Sequence, residues 1–183
     1  MSKNMYLYVL PDDHIKLIKE HNLCFPSYAD GDIPEFNTGF FSKLFGINQP
    51  LDLPENWPNS EIELFDPGIV SSQIDLYHYL LNGSEEFVSH EGCLFQTWYI
   101  NDDKGSAIKI DGDTFAFTSE LLSALSERLN EIDGNLITKR TEEFLGDVPS
   151  DDEVEVLLYG FTEIKKAVSK CMALNEGLVW YGN

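Results

Sequence analysis

The alternation of apolar and polar positions divides the chain into recognisable elements. "MYLYVL" (5–10) is aromatic and aliphatic and predicts a strand. "PDDHIKLIKEHN" (11–22) predicts a short helix, opened by Pro11 and Asp12, with Ile15, Leu17 and Ile18 on its apolar side. A helix is predicted over 69–82, with Ser71 or Ser72 as N-cap and Gly83 as the left-handed residue just past its end. "CLFQTWYI" (93–100) and "SAIKI" (106–110) predict two strands joined through "NDDKG" as a hairpin, followed by a turn at "DGD" (111–113). Thr118 or Ser119 then caps a helix whose Leu121, Leu122, Leu125, Leu129 and Ile132 recur at helical spacing, ending at "DGN". A shorter helix covers roughly 135–145.

"SDDE" (150–153) has the form of a capping box. Ser150 caps, Glu153 reaches back, and Asp151 and Asp152 favour the positive end of the helix dipole. Val154, Leu157, Leu158, Phe161, Ile164, Val168 and Cys171 then mark one face of a long amphipathic helix that stops near Asn175 to Gly177. "LVWYG" predicts a closing strand beside the first one. Strands and helices are mixed without a βαβ rhythm. The expected fold is therefore α+β: a single domain over 1–183 with a small mixed or antiparallel sheet and about four to five helices.

Residues 23–68 break this regularity. They hold six of the eight prolines and the aromatic run "FNTGFFSKLFG", which predicts a long loop pinned by Phe36, Phe40, Phe41, Phe45 and Trp57.

Composition changes the picture mainly through charge. Apolar residues make up 43% of the 183, so a folded globule is expected. Asp and Glu number 32 against 12 Lys and Arg, a net charge of −20. Such a surface repels nucleic-acid phosphates and anionic lipid and attracts a basic protein. It also serves solubility, with no partner involved. No stretch approaches the apolar length of a membrane span, and the N-terminal run broken by "PDD" lacks the form of a signal peptide, so a cytoplasmic location is expected. Cys24, Cys93 and Cys171 are odd in number and set in apolar surroundings, which predicts reduced, mostly buried thiols. With no CxxC or HExxH, neither a metal nor a cofactor is implied.

The strand–helix opening, "IDLYHYLLNG" (74–83), "FTSELLSALSERL" and the ending "LLYGFTEIKKAVSKCMALNEGLVWYG" occur in an order that resembles the YfbM-like family of small bacterial proteins, a domain of unknown function. That family often shows Trp-x-x-Leu-His-x-x-Leu-Thr-Gly. His78, Leu81 and Gly83 match it, whereas Ile74, Tyr77 and Asn82 replace the tryptophan, the first leucine and the threonine. The resemblance implies a compact α+β domain and no particular activity.

Candidate chemistry is sparse. His78 sits mid-helix between Tyr77 and Tyr79 and reads either as a packed histidine bonded to backbone or tyrosine groups, or as part of a pocket with Tyr77 and Trp98. No GxSxG elbow accompanies it. "SHEGC" (89–93) lacks a further ligand at metal spacing, and "NDDKGSAIKIDGD" lacks the terminal glutamate of a calcium loop; both read as turns. Two segments are strongly acidic. One lies within 23–68 and carries Asp30, Asp32, Glu35, Asp52 and Glu55 near Trp57. The other, "EEFLGDVPSDDEVE" (142–155), carries Glu142, Glu143, Asp147, Asp151, Asp152 and Glu153. Each is either a solvated face or a docking surface in which carboxylates steer and an aromatic anchors.

The leading expectation is thus a non-catalytic acidic binding protein for a basic protein partner. Its most concrete form is an immunity protein that occludes the active site of a bacterial toxin. The alternative is a small-ligand-binding protein or enzyme with its pocket at His78.

Overall fold

The computed structural model describes residues 2–20, 25–31, 53–57, 62–86, 94–95, 107–111 and 114–183. Among the described residues, five strands form one antiparallel sheet: β1 (Met5–Leu10), β2 (Leu64–Phe65), β3 (Ile108–Asp111), β4 (Thr114–Phe117) and β5 (Gly177–Gly182), in the order β2-β1-β5-β4-β3. β5 lies in the middle. It pairs with β1 from Leu10↔Gly177 to Met5↔Gly182 and with β4 from Phe117↔Leu178 to Thr114↔Tyr181.

Helices cover both faces. α1 (Asp12–Glu20) and α2 (Phe25–Ala29) pack on one, where Ile15, Ile18, Phe25 and Tyr28 meet Leu10, Ala116 and Val179. The other face carries α3 (Ile74–Asn82), α4 (Leu122–Asn130), α5 (Gly134–Leu145) and α6 (Asp151–Leu174). There Leu7, Phe117, Leu178 and Trp180 form the main core with Ile74, Leu125, Ile137, Phe161 and Ile164. Alternate side chains of β1, β4 and β5 therefore serve two different cores, as the period of two requires.

The helical expectations are borne out in α1, α5 and α6, and in the stripe of α4. Leu122, Leu125, Leu129 and Ile132 are buried, and Leu121 is half-buried. The Ser150 hydroxyl accepts from Glu153 N–H while the Glu153 carboxylate accepts from Ser150 N–H at 2.8 Å, the reciprocal capping box. α6 ends at Asn175 in a left-handed conformation, φ 56°.

Four expectations change. Ser71 does not cap α3, because a 3₁₀ turn (Ser71–Gln73) precedes that helix, Gln73 accepts from Val70 N–H, and the Ser71 hydroxyl accepts from Lys3 N–H. The next helix is likewise entered through a 3₁₀ turn (Ser119–Leu121), where the cap comes from far away: both Asp12 carboxylate oxygens accept from Ser119 N–H, at 3.0 and 3.2 Å. β3 pairs with β4, a pairing the sequence did not predict, and Leu94 and Phe95, placed in the strand 93–100, are in turn conformation and a 3₁₀ residue. β4 escapes the alternation rule because "TFAF" is buried on both sides. The segment 23–68 contains α2 and β2 and is not loop throughout. Phe36, Phe40, Phe41, Phe45, Cys24, Cys93, "SHEGC" and "NDDKG" lie outside the described residues, as do 96–106 of the predicted hairpin. Cys171 is buried and unpaired in a disulfide; its thiol donates to the Gly177 carbonyl, and burial pushes its pKa up to about 12.

Candidate docking cleft

The acidic segment 142–155 surrounds a cleft. α5 stops at Gly146, whose left-handed φ of 83° turns the chain away, and the capping box restarts it as α6. The connecting Asp147, Val148 and Pro149 therefore bridge two helix ends, and the N-terminal turn of α3 closes the opposite side with Gln73 and Leu76. The resulting cleft has a volume of about 470 Å³.

Its walls are largely apolar and open to solvent. Leu145, Val148 and Val156 are 58%, 67% and 60% exposed, a grouping of large aliphatic side chains that burial elsewhere does not explain. Asp147 and Asp152 line the same cleft. Glu153 also lines it, but its carboxylate is engaged by the Ser150 N–H and hydroxyl, which hold its pKa below the usual carboxylate range.

Thr141 contributes a further polar group. It is 2% exposed, lines the cleft, and its hydroxyl has no hydrogen-bond partner among the described residues. Two other helical threonines return their hydroxyls to the carbonyl four residues back, Thr138 to Gly134 and Thr162 to Leu158. Thr141 makes no such bond, and its buried hydroxyl is unpartnered among the described residues.

The other sequence candidates lie elsewhere. Glu142 and Glu143 are exposed on α5; Glu143 pairs with Lys139 at 3.7 Å and accepts from the Tyr79 hydroxyl. Asp151 is exposed in the first turn of α6. Asp30 and Glu55 are exposed on the α1–α2 side of the sheet, away from α5 and α6. Of the named acids of 23–68, the described Asp30 and Glu55 thus do not line the cleft. Trp57 packs against His14 and Tyr28, with ring centroids at 5.0 and 4.8 Å. Asp32, Glu35, Asp52 and Trp98 lie outside the described residues.

His78 is 2% exposed and its two nitrogens have opposite roles. Nδ1 accepts from the Asn82 amide at 3.2 Å and Nε2–H donates to the Glu86 carbonyl at 3.3 Å, which sets one neutral tautomer. Tyr77 is buried against Phe95 and Phe161, and burial pushes its pKa up to about 12. Neither residue lines the cleft.

The sequence reading passed over His14. It is wholly buried on α1, its Nδ1 2.6 Å from the Tyr28 hydroxyl and its Nε2 3.1 Å from the Glu55 carbonyl. Its place beside Ile15 and Ile18 on the apolar side of α1 was the available signal. Among the described residues, no group of three or more His, Cys, Asp or Glu could hold a metal ion, and no helix is long and apolar enough to cross a membrane.

No family model matches the chain, and no curated protein matches it. Among solved structures it is similar to YfbM from Escherichia coli, a protein of unknown function, with a TM-score of 0.49, 14% identity, and coverage of 98% of this chain and 99% of that one.

Proposed function

We propose that this chain is a non-catalytic binding protein that captures a basic protein partner, most concretely a cytoplasmic immunity protein that blocks the active site of a bacterial toxin. The observation that carries the reading is the cleft between α3, α5 and α6, where exposed Leu145, Val148 and Val156 stand beside the carboxylates of Asp147 and Asp152. Apolar side chains provide the desolvated contact, and carboxylates select a cationic surface. The net charge of −20 adds long-range attraction for the same class of partner.

The experiment is affinity capture from the native cell, followed by titration of the captured protein's own activity. A basic enzyme inhibited at a one-to-one ratio is the expected result. Its association should slow as the screening length falls from ~10 Å at 0.1 M salt to ~3 Å at 1 M, with much less change in dissociation. Captured proteins that are not basic, or whose activity is untouched, sink the immunity reading. An association rate flat across that range assigns the acidity to solubility alone.

A further inference from the structure

We infer that the cleft between α3, α5 and α6 takes a single apolar segment of a protein partner bearing lysine or arginine, with the Thr141 hydroxyl as its internal hydrogen-bonding contact. The inference rests on the proposed function above and names what enters its cleft.

Three observations favour this occupant. Leu145, Val148 and Val156 are each more than half exposed, so they rise around the cleft as well as lining it. A ligand sunk in about 470 Å³ would leave much of that surface wet, whereas a polypeptide segment lying across it would cover all three. The charge at the rim is negative: Asp147 and Asp152 have no hydrogen bond or ion pair among the described residues, and Glu153 is committed to Ser150. A cation is therefore matched at Asp147 and Asp152. A second copy of this chain would bring its own −20 to the contact and be repelled. Thr141 supplies the third observation. Threonine takes two side-chain rotamers in helices, and one χ1 step carries the hydroxyl to a second staggered position. A main-chain group of the segment can then pair with this oxygen, which has no partner among the described residues.

The test uses the full chain and a short fluorescein-labelled peptide with leucines at helical spacing and lysines opposite, beside its glutamate-for-lysine counterpart. The lysine peptide should bind and the glutamate peptide should not. Asp147→Asn with Asp152→Asn should weaken binding about tenfold or more, a loss of about 1.4 kcal/mol. Asp30→Asn with Glu55→Gln removes the same charge from the other side of the sheet and should change it by less than about twofold. Val148→Asp separates apolar docking from charge attraction, because it adds a carboxylate at a position 67% exposed, where the fold tolerates it. Docking predicts weaker binding; attraction alone predicts tighter binding. Thr141→Val should weaken binding while leaving its salt dependence unchanged.

Equal losses from the two paired variants, or tighter binding by Val148→Asp, overturn the cleft assignment while leaving capture of a basic partner standing. A concentration-dependent dimer that Val148→Asp dissolves overturns it in favour of a second copy. Failure of every version to bind the lysine peptide, together with failure to capture a basic protein from cells, removes both this inference and the function it rests on.

Discussion

The guanidinium of Arg140, on α5, donates to the main-chain carbonyl oxygens of Leu80 and Leu81 at the C-terminal end of α3. These carbonyls have no acceptor role within their own helix once it stops at Gly83, and a cation there also meets the negative end of the helix dipole. The second of the chain's two arginines joins it: Arg128, on α4, donates to the Asn82 side chain, whose amide in turn donates to His78. Arg140→Ala should cost about 1.5–3 kcal/mol, the range for hydrogen bonds to charged groups. Arg140→Lys should recover less than half, because an ammonium lacks the planar fork. Urea denaturation of the three proteins decides it, and an unchanged midpoint in Arg140→Ala would mean that α3 is held by packing alone.

Thr141→Val should make the free protein more stable. The substitution keeps the shape and removes a buried hydroxyl that has no partner, for a gain of about 1 kcal/mol. That is roughly 2–4 °C in Tm for a chain of this size. Calorimetry without any partner present is the measurement. A lower Tm would show that the hydroxyl is satisfied in solution.

His14→Ala should cost about 2–4 kcal/mol, combining a cavity with the loss of two contacts that tie α1 to α2 and to residue 55. Trp57 reports on the same place, since its ring packs against His14. A shift in tryptophan emission should accompany the lost stability, and full stability with unchanged emission would remove His14 from the core of that side.

Two glutamates should move acid stability in opposite directions. The Ser150 N–H and hydroxyl hold Glu153 below its usual range, so its contribution is present above the unfolded value and is lost as pH falls through the folded one. Glu153→Gln should flatten that acid loss. Burial raises Glu176, with attraction to His14 and Lys170 partly offsetting it, so the folded state binds the extra proton and stability falls as pH rises through its range. Glu176→Gln should therefore stabilise the protein at neutral pH and erase that fall. Denaturation midpoints measured from acid to neutral pH check both signs.

Local rules made much of this molecule legible, because a capping box, a left-handed glycine and a 3.6-residue stripe are each complete within a few residues. Ser150 with Glu153, Gly83, and Leu122 through Ile132 are of that kind. What could not be read there depends on partners distant in the chain. Asp12 looks like the opening of its own helix, yet its carboxylate caps a turn 107 residues away. "TFAF" has no alternation because both its faces are covered, and those covers come from α1 on one side and from α4 and α6 on the other. The cleft is of the same sort. Its acids were visible in 142–155, but the exposed Leu145, Val148 and Val156 beside them, and the unpaired Thr141, follow only from how three helices meet.

The central place of β5 sets a clock on assembly. Synthesis delivers β1, β4 and β3 first, yet β1 and β4 do not touch each other in the sheet; each pairs with β5. At ~5–20 residues per second, roughly 10–35 s separate the emergence of β1 from that of β5. Until β5 arrives, the edge of β1 with Leu7 and Val9, and later that of β4 with Phe115 and Phe117, lack their partner, and open edges recruit other chains. A nascent chain of this fold therefore carries two unmatched strand edges until β5 arrives to close them.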